Sequence, residues 1–437
     1  MKEIFTLLKY ISLIFLIPFL LLHLTTHTNA NAAVKKTFTP KISLRNQYDD
    51  NIDLEAENTN SGWMTTVSPG LLMNVQSSLS QMILDYESGL AFYHKESFRD
   101  NTRHRGTLRW EQQLSRSFKL HVRDTYIHEE DPIMESEEGQ IEEILTERNI
   151  YYRNNGQVSL LWQFGAENKM SLGYINRSLE RKSSRYGDSA GHDGFLQLDT
   201  WFIPKYGLSF KSGINRGEFE QSEDFYQYEG ELTLYYRPGP SKNVFLKYDL
   251  IYQEFDESGA DAGAYDFRVH QGSLGLNLAL NSFTTFSIEG GYFVRNFLIG
   301  WKKEGGTFNL AFNKRMERAS VRLEGSGGYD QDYFSGENLG SSSFRQAFAY
   351  AHYQVTRNFG LSSSADYRWE EFLGPDNRWD RRDEVWRATA GLSYSFWRWI
   401  TLSFHYTHSE RESNSSSLEF KDNRFAFLIV GAYPVSF

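Results

Sequence analysis

His405, His408, Ser409 and Glu410 stand close together in ITLSFHYTHSERES, and a hydroxyl beside an imidazole and a carboxylate is the raw material of nucleophilic catalysis. His104, with arginine neighbours, and His121, inside an alternating segment, add two further candidate bases. The sequence has no G-x-S-x-G elbow to hold a serine on a strained turn, and no histidine-rich spacing suited to a metal. A wall with many polar residues brings such neighbours together by chance. The chain therefore reads as a non-enzyme, with no catalytic residue, metal or cofactor assigned.

A second chemistry lies in HEEDPIMESEEGQIEEILTE, His128–Glu147, which packs nine carboxylates into 20 residues. Clustered carboxylates suit hard cations and could bridge to lipopolysaccharide, although no D-x-D-x-D-G loop marks a dedicated calcium site. Folded into a wide pore, Glu135, Glu137, Glu138, Glu142 and Glu143 would instead form an acidic constriction. The plainest expectation is a solvated outer loop with one helical turn at Ile141–Leu145.

The third set is dispersed. Arg109, Glu111, Lys119, Arg123, Arg177, Lys211, Lys247, Asp249, Glu289, Arg295, Arg322, Glu324 and Arg387 all fall on the polar face of alternating segments. Mixed signs of this kind make either a generic wetted wall or a selectivity lining that orients a polyanionic or sugar solute. Arg368, Trp369, Arg378, Trp379, Arg381 and Arg382 crowd loop rims, where rings and cations form an interfacial girdle or stack on sugars.

These charges need elements that point them one way, and the period of the apolar residues supplies them. In SLGLNLALNSFTTFSIEGGYFV, Leu274, Leu276, Leu278 and Leu280 alternate up to Asn281-Ser282, after which Phe286 and Ile288 resume the alternation. Side chains of a strand point alternately to opposite faces, so this is a hairpin with one greasy side. Similar units recur about every 40 residues as strand, short turn, strand and longer polar loop. Short turns fall at Ser77-Ser78, Arg116-Ser117, Gly165–Asn168, Pro204-Lys205, Pro238–Ser241, Asn281-Ser282, Arg315–Glu317, Arg357-Asn358 and Arg398-Trp399. Long loops fall at Ser183–Gly191, Glu257–Asp266, Ser335–Ser342, Leu373–Arg382 and Ser409–Ser417.

The expected fold is all-β: a transmembrane up-and-down antiparallel β-barrel of about 20 strands, with 18 as the alternative, short periplasmic turns and long extracellular loops. Expected strand starts lie near 38, 62, 79, 103, 117, 148, 168, 191, 205, 226, 242, 266, 283, 304, 318, 343, 358, 383, 400 and 420. A soluble β-sandwich would give the same alternation. It would, however, bury unpaired Lys, Asp and Arg on one face, which is costly.

Composition agrees. The 437 residues include 26 Tyr, 33 Phe and 10 Trp but no cysteine, and carry a formal charge of -10, with a mean hydropathy of -0.54. So many amphipathic rings in so polar a chain suit a lipid interface. The acidity argues against nucleic acid, and the missing cysteine excludes disulfides and thiolate metal sites. Residues 1–32 read as a cleaved signal peptide: Lys2 and Lys9, an apolar run Ile11–Leu22 broken by Pro18, then Ala30-Asn31-Ala32. The run falls short of the ~20 residues of a spanning helix. Residues 33–437 form a single barrel domain, whose last strand carries Phe425, Phe427, Ile429, Tyr433, Val435 and the terminal Phe437 on one face. That pattern resembles the signal read by outer-membrane insertion machinery.

Tyr48-Asp49-Asp50-Asn51-Ile52 before a polar loop, followed by Ser68-Pro69-Gly70 in the next strand, resembles an outer-membrane beta-barrel porin family, the beta-barrel porin 2 type, often associated with exopolysaccharide secretion. The two motifs cover some 30 residues, and the hairpin repeat extends the similarity along the mature chain. The resemblance implies location and architecture and brings no catalytic residue.

The sequence thus points to a porin-like protein in the outer membrane of a Gram-negative bacterium. It would be a passive channel for small hydrophilic solutes, or associated with exopolysaccharide export. The alternative is a non-conducting structural or adhesive barrel with a loop-plugged lumen; an outer-membrane enzyme ranks below both. Expected partners are outer-membrane lipids, lipopolysaccharide, the insertion machinery and exopolysaccharide export components.

Overall fold

Alternation holds each segment extended because one face can then meet an apolar medium while the other stays wet. The computed structural model describes residues 34–95, 99–131, 133–135, 141–144, 148–182, 187–256, 266–298, 302–330, 341–373 and 381–436. The strands are β1 Lys35–Asp49, β2 Gly62–Gln76, β3 Ser80–Tyr93, β4 Asn101–Gln113, β5 Phe118–Glu129, β6 Tyr151–Gln163 and β7 Lys169–Arg181. They continue as β8 Ser189–Ile203, β9 Tyr206–Phe219, β10 Phe225–Gly239, β11 Lys242–Phe255, β12 Phe267–Asn281, β13 Thr284–Phe297 and β14 Lys302–Arg315. The last six are β15 Ala319–Asp330, β16 Ser341–Gln354, β17 Phe359–Leu373, β18 Arg382–Trp397, β19 Ile400–Ser413 and β20 Phe420–Ala432.

Each strand pairs antiparallel with the next, and β1 pairs with β2 on one edge and β20 on the other, so the sheet closes on itself. The sheet's 21 elements include the two-residue piece Val435–Ser436, which prolongs the pairing of β20 with β1; without it the barrel has twenty strands. Closure leaves no unpaired edge. The expected starts agree with the observed ones, from 38 against Lys35 to 420 against Phe420. The alternative of 18 strands does not hold. Among the described residues no helix is long and apolar enough to cross a membrane, and this barrel crosses with strands.

The leucine hairpin shows how the faces are assigned. Leu276 lies opposite Ile288 and Leu278 opposite Phe286. Leu274 is 61% exposed while its neighbour Ser273 is 3% exposed. The greasy face is thus the outside of the barrel, where lipid solvates it, and the polar face turns inward.

Four of the short turns share one construction. The register shifts by one residue just before the turn at Trp201/Ile203, Tyr236/Gly239, Ala279/Asn281 and Ser395/Trp397. Two-residue hairpins normally rely on positive φ to match strand twist. Among the described residues the only non-glycine positions with positive φ are Leu54 and Asn58, both in the first long loop. A bulge at each turn supplies the twist instead.

Two expectations about loops change. Ser409–Ser413 belongs to β19, so the loop after it is 414–419 rather than Ser409–Ser417. The expected helical turn at Ile141–Leu145 is replaced by a short hairpin, Ile133–Glu135 against Ile141–Ile144, with Ile133 opposite Ile144. Branched Ile133, Ile141 and Ile144 favour the extended form over a helix. The expected signal peptide, 1–32, lies outside the described residues, as do residue 33 and Phe437.

Candidate functional site: the lumen and its seam

Arg109, Lys119, Arg123, Arg177, Lys211, Lys247, Asp249, Glu289, Arg295, Arg322, Glu324 and Arg387 all occupy the strand face opposite the exposed apolar residues, as does Glu111. Most are brought together in ion pairs, some across strands and some along one strand. Lys247 lies 2.8 Å from Glu289 and 4.0 Å from Asp249, and Ser273 Oγ donates to Glu289. Lys211 meets Glu229 at 3.2 Å and Arg177 meets Asp193 at 3.0 Å. Arg322 grips Glu324 with two nitrogens, at 2.7 and 2.9 Å. Glu111 lies 3.7 Å from His121. Lys119, Arg123 and Arg109 stand on the more open β4–β5 wall. These pairs are spread around the wall and do not line up as one ladder.

Arg295 departs from the expectation. It faces inward but is 4% exposed, its guanidinium 3.9 Å from the ring centre of Phe267 and 4.1 Å from that of Phe297. Phe225, Ile251, Phe267, Val269, Phe293, Phe297 and Tyr329 pack together around it. The π faces compensate the buried cation, so Arg295 sits in an apolar cluster rather than on an aqueous lining. This cluster lies on the inner face of β10–β13 at the long-loop end, and Tyr329 of β15 joins it. Sequence reasoning missed it, although Phe293-Val294 and Phe267 break the inward polar pattern.

A cavity of about 600 Å³ opens on the opposite wall, where β1–β5 meet β16–β20. Lys41, Arg45, Arg103, Arg105, Arg387 and His405 line it, with Glu87 and Glu129. Lys41 is held by Asp85, and Arg103 by Glu130 and more loosely by Glu129. Arg45 and Arg105 have no carboxylate within ion-pair distance among the described residues. Of the expected lining residues, only Arg387 belongs to this cavity.

Above it, the residues of the first motif close the barrel. Asp50 accepts from the backbone N–H and side-chain amide of Asn423, both at 2.7 Å. Asn51 donates to the carbonyls of Glu55 and Lys421. Tyr48 stacks obliquely on Trp63, and Ile52 packs with Met64, Ala91 and Tyr93. Asp49, Asp50 and Asp422 bring carboxylate oxygens within 4.8 Å of one another. Arg424 Nε lies 2.5 Å from Asp422 and 3.3 Å from Asp49, so an arginine pairs with two of the three.

The stems of His128–Glu147 join the same place. Asp131, after β5, forms a 2.5 Å ion pair with Arg424 of β20. Arg148, before β6, lies 3.9 Å from Asp49 of β1. Glu130 accepts from Arg103, Asn101 and Tyr93. Both ends of the acidic segment are therefore drawn inward toward the seam, past the four strands between. Of the constriction candidates, Glu135, Glu142 and Glu143 lie in the short hairpin, and Glu137 and Glu138 lie outside the described residues.

The histidine group separates. His405 and Ser409 face inward, whereas His408 and Glu410 face outward, because odd and even residues of β19 point to opposite sides. His408 Nδ1 lies 2.8 Å from Asn423 Oδ1, and Glu410 accepts from Trp386 and Lys421. Ser409 is fully buried. No serine–histidine pair forms there. At the rim, Arg368 pairs with Glu370 at 3.1 Å and Arg381 with Asp383 at 2.7 Å; Arg382 meets Glu371 at 3.0 Å. Trp369 lies under Arg345, while Arg378 and Trp379 are outside the described residues.

Comparison with known proteins finds the barrel and nothing narrower. No family model matches the sequence, and no curated protein matches it. Among solved structures, the copper transporter OprC is similar over 92% of this chain and 81% of its own, at 9% identity and a TM-score of 0.50. The outer membrane protein opdK from Pseudomonas aeruginosa is 12% identical, with coverages of 92% and 99% and a TM-score of 0.40. Acinetobacter baumannii OccAB4 is also 12% identical, with coverages of 94% and 100% and a TM-score of 0.41. At such identities the likeness is one of fold.

Proposed function

We propose that this chain is a passive outer-membrane channel for small hydrophilic solutes, with anions favoured, whose mouth is narrowed by the segment between Asp131 and Arg148. The observation that carries it is the seam-side cavity, where Arg45 and Arg105 face open space with no carboxylate at ion-pair distance among the described residues, and basic side chains outnumber Glu87 and Glu129. Barrels of 16–18 strands already leave an aqueous channel, and this one has twenty. An uncompensated cation beside a wet, low-dielectric wall attracts anions and concentrates them locally. The outward apolar face supports a membrane location, and the long-loop asymmetry supports an outer membrane of the Gram-negative type.

The test is conductance of the purified barrel in planar bilayers under a salt gradient. Open steps with an anion-selective reversal potential are expected; a silent bilayer overturns the reading. Deleting Glu135–Glu143 should raise single-channel conductance and shift selectivity further toward anions. An unchanged conductance would leave that segment out of the pathway.

A second reading is a closed structural or adhesive barrel. The aromatic cluster around Arg295 and the inward-docked stems favour it, since both fill lumen. The same recording separates the two. An association with exopolysaccharide export is supported only by the Tyr48–Ile52 and Ser68–Gly70 motifs, and a pull-down of export components with the folded barrel would test it.

A further inference from the structure

One arrangement recurs three times on the outward face of the wall. Tyr86 Oη lies 2.9 Å from His104 Nδ1, Tyr174 Oη 2.6 Å from His192 Nδ1, and Tyr248 Oη 2.8 Å from His270 Nδ1. Each histidine is the fourth residue of its strand (β4, β8 and β12), counted from the long-loop end. Each tyrosine sits on the preceding strand opposite the glycine two residues beyond the histidine: Tyr86 with Gly106, Tyr174 with Gly194 and Tyr248 with Gly272. The same geometry thus appears on three strand pairs spaced four strands apart, at the same distance from the long-loop end, just above the band marked by Leu172, Leu246 and Leu274.

A phenol can donate or accept, and what the ring can do follows from which it does. When the phenol donates to Nδ1, the neutral imidazole carries its proton on Nε2; when the imidazole is protonated, Nδ1–H donates back to the phenol oxygen. In both states Nε2–H remains a donor aimed away from the tyrosine. The adjacent glycine leaves room. A Cβ on Gly194 or Gly272 would meet nothing within 4 Å, and one on Gly106 would meet only Tyr86 at 3.5 Å. Beside His270, Arg268 lies over the Tyr252 ring on the same outer face. Two other outward cations near this level, Arg216 and Lys302, are neutralised by Glu218, Asp224 and Asp256, and by Glu304, respectively.

We propose that these three tyrosine–histidine–glycine modules hold the phosphate headgroups of anionic lipids in the outer leaflet. A donor at headgroup height that stays a donor when charged matches an anionic acceptor in both protonation states, and charge assistance strengthens the bond. The bare backbone at each glycine gives an acyl chain a place beneath. The proposal does not depend on whether the barrel conducts.

The test uses the full folded barrel in detergent, titrated with diphosphorylated lipid A and with the same lipid after removal of both phosphates. Wild type should bind the phosphorylated form about tenfold more tightly. Replacing His104→Phe, His192→Phe and His270→Phe together keeps the rings and should bring the two forms within about twofold of each other. Heat-modifiable gel mobility reports that the variant is folded. If the triple variant does not fold, Tyr86→Phe, Tyr174→Phe and Tyr248→Phe together, which release the rings, should lower the preference about threefold. A wild-type preference below about twofold, or a full preference that survives the substitutions, overturns the proposal.

Discussion

Asp131 and Arg424 are 293 positions apart in the chain and 2.5 Å apart in space. One belongs to the start of the acidic segment and the other to the inner face of the last strand. Removing the carboxylate should free that stem. Asp131→Asn is expected to raise single-channel conductance and open-channel noise. Arg424→Ala, which leaves Asp49 and Asp422 buried without their cation, should in addition lower unfolding stability by about 3–5 kcal/mol. Bilayer recordings and urea unfolding in detergent check the two effects separately.

Arg45 and Arg105 face the seam-side cavity with no carboxylate at ion-pair distance among the described residues, Glu129 acting on both from farther off. Arg45→Ala with Arg105→Ala should move the reversal potential in a potassium chloride gradient toward the cation side while leaving stability nearly unchanged. A double variant with the wild-type reversal potential would remove these residues from the conduction pathway.

Asp50 accepts two hydrogen bonds from Asn423 across the seam. Asp50→Ala removes both, at an expected cost of about 2–3 kcal/mol because each is made to a charged acceptor. The midpoint of urea unfolding, read by heat-modifiable mobility, is the measurement. Asp50→Asn should recover part of the loss.

Gly291 faces inward where β12, β13 and β14 meet. A Cβ there would come within 2.5 Å of the Gly272 carbonyl oxygen, 2.6 Å of Ser273 Cβ and 2.7 Å of Thr307 Oγ1. The carbonyl is backbone and cannot swing aside. Gly291→Ala should therefore destabilise the barrel by about 1–3 kcal/mol. Gly230, with open space around its missing Cβ, is the control and should tolerate alanine.

The strands were legible because lipid outside and water inside impose a period of two that no other constraint on this chain disturbs. Parity alone put Lys247, Glu289 and Arg387 on one face. Parity does not give height along a strand, which is why Arg295 was expected on a wet wall and stands among phenylalanines instead. The seam was illegible for a different reason. Asp49, Asp131, Arg148 and Arg424 come from four separate places and meet only when the sheet closes. The stretch Ile141-Glu142-Glu143-Ile144 suits a helical turn as well as a strand, and pairing with Ile133–Glu135 decides between them. The Tyr–His pairs depend on a diagonal between strands, which a one-dimensional pattern does not display.

The ring of strands has a consequence for the order of assembly. Asn423 is made 373 positions after Asp50. Neighbouring hairpins can zip locally, but this last junction waits for the whole polypeptide and bears the largest loop-entropy cost of any pairing. A chain released a few dozen residues short would keep most of its hairpins and still gape along one side. The aspartate-rich start of the first loop finds its partner only once β20 is in place.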